Sequence, residues 1–502
     1  MALPASPDTL SRFREDIVVL LLGLGVLSVA GVLSPRVLCW SDEIVYAVMG
    51  RNIATGAGVI TNFYHASSLL ERGFPLGDVH VPGHAFVLAL SFRLFGQTQW
   101  AAVLPGQICF VLSGLLVSRL GRREFGSPTG LTAAALFYLM PPLSAYALSA
   151  MSELTLVLLS AIYLVVWFRA LQEPGGARPI LLALVLGLGA TVRETFLVFV
   201  PSAVYALWRA PRSARIRALV SFALVLGAYL LLVFLPLYLA RAPHPHFLSS
   251  IAGLDGPERL REVLGRAARN VKVLASPGTN APQLVFTSLY VTSLILPLAV
   301  LRCGGALRRL AVYTAVSYLS TLAALVAVYP LRNWGGVRVF MFTAPYSALL
   351  LAAVLMRLRP LAARYSATAL AAAILASLSW HADNALAADR RANCRIDEPY
   401  ARAISRHAAP LRPRAVIAES AFLYGWTDYP VTVVWHSNTS PSTIRALARI
   451  LPIDVIVVRE QGKVDLIEGI ERGPLAGMYR LANEVPDEGL YFFVNERRGA
   501  RD

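Results

Sequence analysis

The sequence predicts a polytopic α-helical membrane protein of about eleven spans with a small C-terminal α/β extramembrane domain. Three observations carry that reading. Of 502 residues, 56% are apolar and only 15% are charged, against about 25% charged in an ordinary soluble domain. Apolar runs of about 20 residues, the length that crosses a hydrocarbon core, recur from the N-terminus to about residue 380. Arginine clusters separate those runs at alternate ends, as membrane orientation demands. The formal charge of +16 sits in these clusters, not in a basic domain interleaved with aromatics, which argues against nucleic acid as a partner.

Taken in order, the first span covers Ile17 to Val32, preceded by Arg12 and Arg14, so the N-terminus is expected in the cytoplasm. The run after Asp16 shows no clear small-residue cleavage site and reads as an uncleaved span. A long first external loop, 34–99, follows. Within it Glu43 to Ala54 reads as an amphipathic surface helix stopped by Gly56-Ala57-Gly58. Ala85 to Phe95 is apolar but holds only about 11 residues, too few to cross a bilayer. It is assigned to the interface, because counting it as a span would turn every later arginine cluster outward.

The next spans are Trp100 to Leu120, Thr129 to Ala147, Leu154 to Phe168, Ile180 to Thr191, Phe196 to Leu207 and Leu219 to Leu239. The fifth and sixth are short enough to be tilted or broken. A second external loop, 241–283, carries a surface helix over Pro257 to Val273. Spans over Leu284 to Leu301, Ala311 to Tyr329, Phe340 to Leu355 and Ala367 to Ser379 complete the membrane module, residues 1–380. Residues 381–502 change composition and read as an external, periplasmic α/β domain. Its short apolar segments are Ala415 to Ala418, Val431 to Trp435, Val455 to Val458 and Tyr491 to Val494, with a helix over Ser442 to Leu451 capped by Ser440 or Ser442.

Asp42 and Glu43 stand where the first span leaves the membrane. Carboxylates held at a bilayer cost free energy unless paired, hydrated or metal-bound, so they mark a site. A carboxylate at the water–lipid boundary can take a proton from a hydroxyl, and the same pair could hold a divalent cation through oxygen. Tyr46, one helical turn on, and Asp78 are expected to line the pocket. His80 and His84, spaced i, i+4, could share a helical face and add nitrogen ligands to Asp42 and Glu43; ordinary loop histidines are the plainer reading. External arginines beside spans are the third feature. Guanidinium suits phosphate oxygens, which makes Arg338, Arg193 and Arg51 candidate phosphate ligands, ahead of Arg72 and Arg332. Arg193 could equally pair with Glu194 or Glu153. Cys39 and Cys394 would both lie outside, where a disulfide could tie the first loop to the C-terminal domain, although the sequence supplies no geometry for it.

In their order along the chain, these motifs resemble the GT-C membrane glycosyltransferases of the family 39 type, which includes protein O-mannosyltransferases and the aminoarabinose transferases that modify lipid A. Asp42-Glu43-Ile44-Val45-Tyr46 is similar to their Asp-Glu-x-x-Tyr. His80-Val81-Pro82-Gly83-His84, followed by Phe86 to Gly96, is similar to the segment that opens their juxtamembrane helix. Thr191-Val192-Arg193, Arg338-Val339-Phe340 through Pro345, and Gly425-Trp426 with Val431 to Trp435 complete the series. Val45 stands where the aminoarabinose branch has arginine, and the Glu-Lys pair of that branch is missing. The resemblance implies an inverting transfer of a sugar from a polyprenyl-phosphate donor to a lipid, glycan or protein hydroxyl, on the external face of the inner membrane. It implies Asp42 as catalytic carboxylate with Glu43 in support, and a divalent metal in some members only. A lipid or glycan transporter or flippase, or a polysaccharide polymerase or ligase, is the alternative; the sequence shows no paired repeats of the former kind, and the latter would concentrate its chemistry in a long later loop.

Overall fold

A computed structural model describes residues 7–33, 41–59, 63–65, 81–140, 143–173, 175–240, 255–275, 295–328, 341–357, 406–407, 409–411, 413–418, 431–434, 440–451, 453–485 and 490–496. Helix α1 spans Pro7–Leu33 and α2 Ser41–Thr55; strand β1 is Phe63–His65; α3 is Gly83–Phe95 and α4 Gln99–Phe125. Then come α5 (Ser127–Leu139), α6 (Leu143–Ala147), α7 (Glu153–Gln172), α8 (Arg178–Val192), a 3-10 stretch Glu194–Phe199 and α9 (Val200–Trp208). Helix α10 (Arg212–Tyr229) runs through a π-helical turn, Leu230–Phe234, into α11 (Leu235–Ala240). Helix α12 is Gly256–Ala275, residues 295–300 are helical, and α13 (Gly305–Val328) and α14 (Ala344–Arg357) follow. The C-terminal elements are β2 (Ala415–Ala418), β3 (Val431–Val434), α15 (Pro441–Ile450), β4 (Val455–Arg459), α16 (Glu460–Glu471), β5 (Tyr479–Val485) and β6 (Leu490–Asn495).

Most expected elements appear within a few residues of their sequence limits, and the departures have local causes. Four described helices are long and apolar enough to cross a membrane: Ser11–Val32, Gln99–Phe125, Glu153–Gln172 and Arg212–Leu239. The expected span Thr129 to Ala147 is instead two helices, α5 and α6. The sequence between them carries Pro141-Pro142, two consecutive residues that lack the N–H a helix needs. The expected span Phe196 to Leu207 begins as a 3-10 stretch and becomes α-helical only at Val200. The span expected at Ala367 to Ser379 lies outside the described residues, as does most of Leu284 to Leu301.

The chain divides into two compact units. One comprises Met1–Arg36 with Val103–Leu386, the other Val37–Ala102 with Ala387–Asp502.

In the first unit, one cluster of buried apolar side chains runs from Val19 to Ala353. Within it Tyr163, Trp167, Phe199, Tyr313 and Tyr346 pack ring on ring. Two of their polar ends donate to backbone, Trp167 Nε1 to the Ser202 carbonyl at 2.7 Å and Tyr163 Oη to the Phe199 carbonyl at 3.0 Å, and elsewhere in the cluster Tyr138 Oη donates to the Val111 carbonyl at 2.8 Å. Helices α13 and α14 are joined by Tyr318 Oη, which lies 3.1 Å from Thr343 Oγ1 and 2.9 Å from Ser347 Oγ. At one end of the bundle, Arg119 meets Asp16 at 2.7 Å, and Arg122 meets Glu15 at 2.9 Å and Asp16 at 3.1 Å. These pairs place the start of α1 and the end of α4 at the same end. That follows if α3, between them in sequence, does not cross the bilayer, as its 13 residues also require.

In the second unit, a six-stranded sheet has the order β1-β3-β2-β4-β6-β5. The strands β1, β3, β2 and β4 are parallel; β6 and β5 are antiparallel additions. Side chains alternate between two apolar layers. Ile417, Ile456, Val458 and Phe493 pack with Ile444, Leu447 and Leu466 of the helices, while Val416, Val455, Val457 and Phe492 fill the opposite side. A sheet buried on both faces explains why its strands read as unbroken apolar runs. Ser440 caps α15 by accepting the Thr443 N–H at 3.3 Å. Strand β1 comes from the first loop: Phe63 pairs with Thr432, Tyr64 with Val433 and His65 with Val434. A three-residue strand gives too short a pattern to register in sequence.

Candidate active site

The carboxylate pair opens α2. Ser41, Asp42 and Glu43 are its first three residues, where free N–H groups and the helix dipole favour negative charge. The side chain of Asp42 lies outside the described residues. Glu43 is 2% exposed, so the position is a buried one and not the solvated end of a span. Tyr46, one turn along the same face, is also buried. The ring of His84 stands edge-on to Tyr46, with centroids 5.1 Å apart and planes at 86°.

The surroundings of α2 depart from the surface helix expected at Glu43 to Ala54. Residues Val45 to Gly50 are all buried, as is Asn52. The cause is legible after the fact: Ile44-Val45-Tyr46-Ala47-Val48-Met49 is apolar on every side, and such a helix is enclosed, not half-exposed. Its partner is α3, and the two run in the same direction. Tyr46 meets His84 at the start of α3. A Cβ on Gly50 would stand 2.8 Å from Leu88 Cβ and 3.2 Å from the Ala85 carbonyl. At the far end, Arg93 donates to the Ala54 carbonyl at 3.2 Å and to the Ile53 carbonyl at 3.3 Å, closing the C-terminus of α2. The contact layers therefore advance along both chains together. Glu43, Tyr46 and Gly50 form one face of α2; His84, Ala85, Leu88 and Ala89 form the answering face of α3.

Helix α3 starts at Gly83 after Pro82, whose backbone has φ −80° and ψ 2°. The helical face expected to unite His80 and His84 is therefore absent, since Val81 and Pro82 are not helical. His84 is 1% exposed; His80 lies outside the described residues, as do Asp78, Arg338, Arg332, Arg72, Cys39 and Cys394. Among the described residues no group of three or more His, Cys, Asp and Glu comes together. Of the expected metal set, Glu43 and His84 are the members with described side chains.

Two of the candidate phosphate ligands are described. Arg51 is half-buried on α2, eight residues beyond Glu43, about 12 Å along the helix axis. Arg193 belongs to the other unit. It follows α8 in an extended conformation, φ −160° and ψ 126°, and its Nη1 lies 3.1 Å from Glu153 Oε1. Glu153 opens α7 and is 1% exposed, with Arg193 at 17%. Of the two carboxylates weighed as partners, Glu153 is at ion-pair distance. Arg193 therefore already faces a buried carboxylate before any ligand arrives. Gly50 and Asn52 were missed in the sequence reading. A polar residue and a glycine within an otherwise apolar helix were the available signals.

Residues 79–239 match the family model described as dolichyl-phosphate-mannose-protein mannosyltransferase. Among solved structures, the oligosaccharyltransferase of Archaeoglobus fulgidus in its apo form is similar over 93% of this chain and 72% of its own, at 12% identity and a TM-score of 0.50. ArnT from Cupriavidus metallidurans bound to undecaprenyl phosphate is similar over 95% of this chain and 97% of its own, at 14% identity and a TM-score of 0.48. No curated protein matches the sequence significantly. The chain shares the fold of that oligosaccharyltransferase, and the resemblance to protein mannosyltransferases, first read from the order of the motifs, is met by the family match over residues 79–239.

Proposed function

We propose that this protein is an integral membrane glycosyltransferase. It moves a sugar from a polyprenyl-phosphate donor to the hydroxyl of a lipid, glycan or protein acceptor, with inversion, on the external face of the inner membrane. The observation that carries the reading is the buried Glu43 in the first turn of α2, next to Asp42 and on the face that meets α3. The family match begins at residue 79 and so includes α3, and the ArnT relative was solved with undecaprenyl phosphate.

The chemistry asks little of the site beyond placement. The acceptor oxygen attacks the anomeric carbon, the bond from that carbon to the phosphate oxygen breaks, and the electron pair leaves with the phosphate. Asp42 takes the hydroxyl proton as general base. Glu43, fixed in the same turn, supports the acid pair and is the first candidate to share its charge with a divalent cation. Arg338, Arg193 and Arg51 are the candidates to stabilise the departing phosphate; Arg193 already faces the buried carboxylate of Glu153. Tyr46 and Asp78 complete the pocket. The membrane spans would hold the isoprenoid tail. No step requires a metal.

The test is transfer of a radiolabelled sugar from prenyl phosphate by the purified protein in lipid nanodiscs. Asp42→Asn is expected to lower turnover by about 10²- to 10⁴-fold, the usual contribution of a general base, while the protein still inserts and elutes as wild type. Wild-type-like transfer by Asp42→Asn would exclude that residue as the base. Movement of the intact lipid-linked sugar between leaflets without transfer would replace the enzyme by a flippase.

A further inference from the structure

Helix α12 is amphipathic, and its apolar side faces out. Leu260 and Leu264, one turn apart, are 60% and 59% exposed. On the opposite side, Glu262 Oε1 lies 2.8 Å from Arg266 Nε and 3.0 Å from Arg269 Nη2, and Arg266 is only 4% exposed. The helix thus buries an arginine and presents leucine, the reverse of the usual arrangement in a soluble protein. Helix α12 also packs against α13, one of the apolar helices of the membrane bundle, within the same compact unit.

We propose that α12 is an interfacial docking helix whose Leu260–Leu264 face is seated in a bilayer surface rich in anionic lipid headgroups. Two features select this occupant. The contact with α13 holds α12 beside the bundle, where apolar side chains turned outward meet lipid before they meet water. The charge fits as well: the helix carries five basic residues, Arg259, Arg261, Arg266, Arg269 and Lys272, against Glu258 and Glu262. Arg259 and Arg261, both exposed, flank Leu260 at about 100° to either side. There their stems lie along the apolar stripe and their guanidinium groups reach headgroup phosphates. This assignment does not depend on the glycosyl-transfer reading.

The test places a nitroxide label at Leu260→Cys, Leu264→Cys or Arg269→Cys in full-length protein whose four native cysteines are replaced. The protein is reconstituted into phosphatidylglycerol-containing vesicles, and accessibility to oxygen and to a water-soluble nickel chelate is measured. Positions 260 and 264 are expected to favour oxygen over nickel several-fold more than position 269. That contrast should shrink in pure phosphatidylcholine vesicles or on joining Arg259→Glu with Arg261→Glu. Equal ratios at the three positions would overturn the proposal. So would exclusion of both reagents from 260 and 264, which would mean that protein, including a second copy of this chain, covers the face. A contrast unchanged in phosphatidylcholine would overturn the choice of anionic lipid.

Discussion

Helices α2 and α12 look alike in sequence terms, each a helix in a long loop between spans, and each reads as a surface element. The structure treats them oppositely. Helix α2 is enclosed from Val45 to Gly50, whereas α12 leaves Leu260 and Leu264 exposed. The difference lies in how apolar residues are spread around the axis. In α2 they occupy every side, with Glu43 and Asn52 as buried polar exceptions. In α12 they keep to one stripe, and the charges gather on the other side. Polar residues inside an enclosed helix are costly, so they point to function; the buried Arg266 of α12 is instead met by Glu262 one turn away on the same helix.

The comparison breaks most sharply at its two glutamates. Glu43→Gln preserves shape and removes one charge from the acid pair, and turnover is expected to fall by about 10²-fold or more. Glu262→Gln removes a carboxylate that the guanidinium of Arg266 already holds below the usual range. Because that carboxylate is solvent-screened, turnover is expected to stay within about twofold of wild type. Measured transfer by the two variants in the same nanodiscs decides the matter. If both are silent, or both inactivate, the division between a functional and a merely docked helix fails.

The glycines sharpen the contrast on stability. At Gly50 an added methyl would meet Leu88 Cβ at 2.8 Å, the Ala85 carbonyl at 3.2 Å and the Ala89 N–H nitrogen at 3.3 Å. Two of these are backbone atoms, so α2 and α3 would have to separate. Gly50→Ala is expected to cost about 1–3 kcal/mol as overpacking and to lower turnover by moving Glu43. Loss of thermal stability in detergent, followed by size-exclusion chromatography, reports the first effect, and transfer by the folded fraction reports the second.

Much of this architecture was legible in the sequence because hydrophobic length and arginine placement are strong, local signals. The helix at Pro257 to Val273 and the strand at Ala415 to Ala418 appear nearly at their expected limits. The parallel contact of α2 with α3 and the pairing of β1 with β3 join residues far apart in sequence, and no periodic pattern encodes them. The halves of the site differ in the same way. Glu43 was marked by its charge beside a span. The seating of Tyr46 against His84 needed the close approach at Gly50, which a lone glycine in a helix announces only weakly. Glu153 was one of two neighbours considered for Arg193, and choosing between them required the distance across α7 and α8.

Arg93 tests the far end of the α2–α3 contact. Its guanidinium is exposed and closes the last carbonyls of α2 through hydrogen bonds of 3.2 and 3.3 Å. Arg93→Ala removes a charged cap and should cost about 0.5–1 kcal/mol. The effect should appear as faster amide exchange confined to the last turn of α2, with turnover nearly unchanged because Glu43 is three turns away.

The smallest expected effect runs in the opposite direction. Gly265 sits in the middle of α12, and the nearest atom to an added methyl is Arg269 Nη1, the flexible end of a side chain, at 3.6 Å. Nothing has to move. The substitution Gly265→Ala therefore gains helix propensity without a packing cost, worth about 0.8–1 kcal/mol. A helix lying on a surface opens locally without unfolding the bundle, so this gain should be read in α12 itself. Amide exchange there is expected to slow by about fivefold, the change in opening constant that 1 kcal/mol represents, while α2 is unaffected. If Gly265→Ala accelerated exchange as Gly50→Ala would, α12 would be enclosed by a partner as tightly as α2 is by α3, and the distinction between the two helices would vanish.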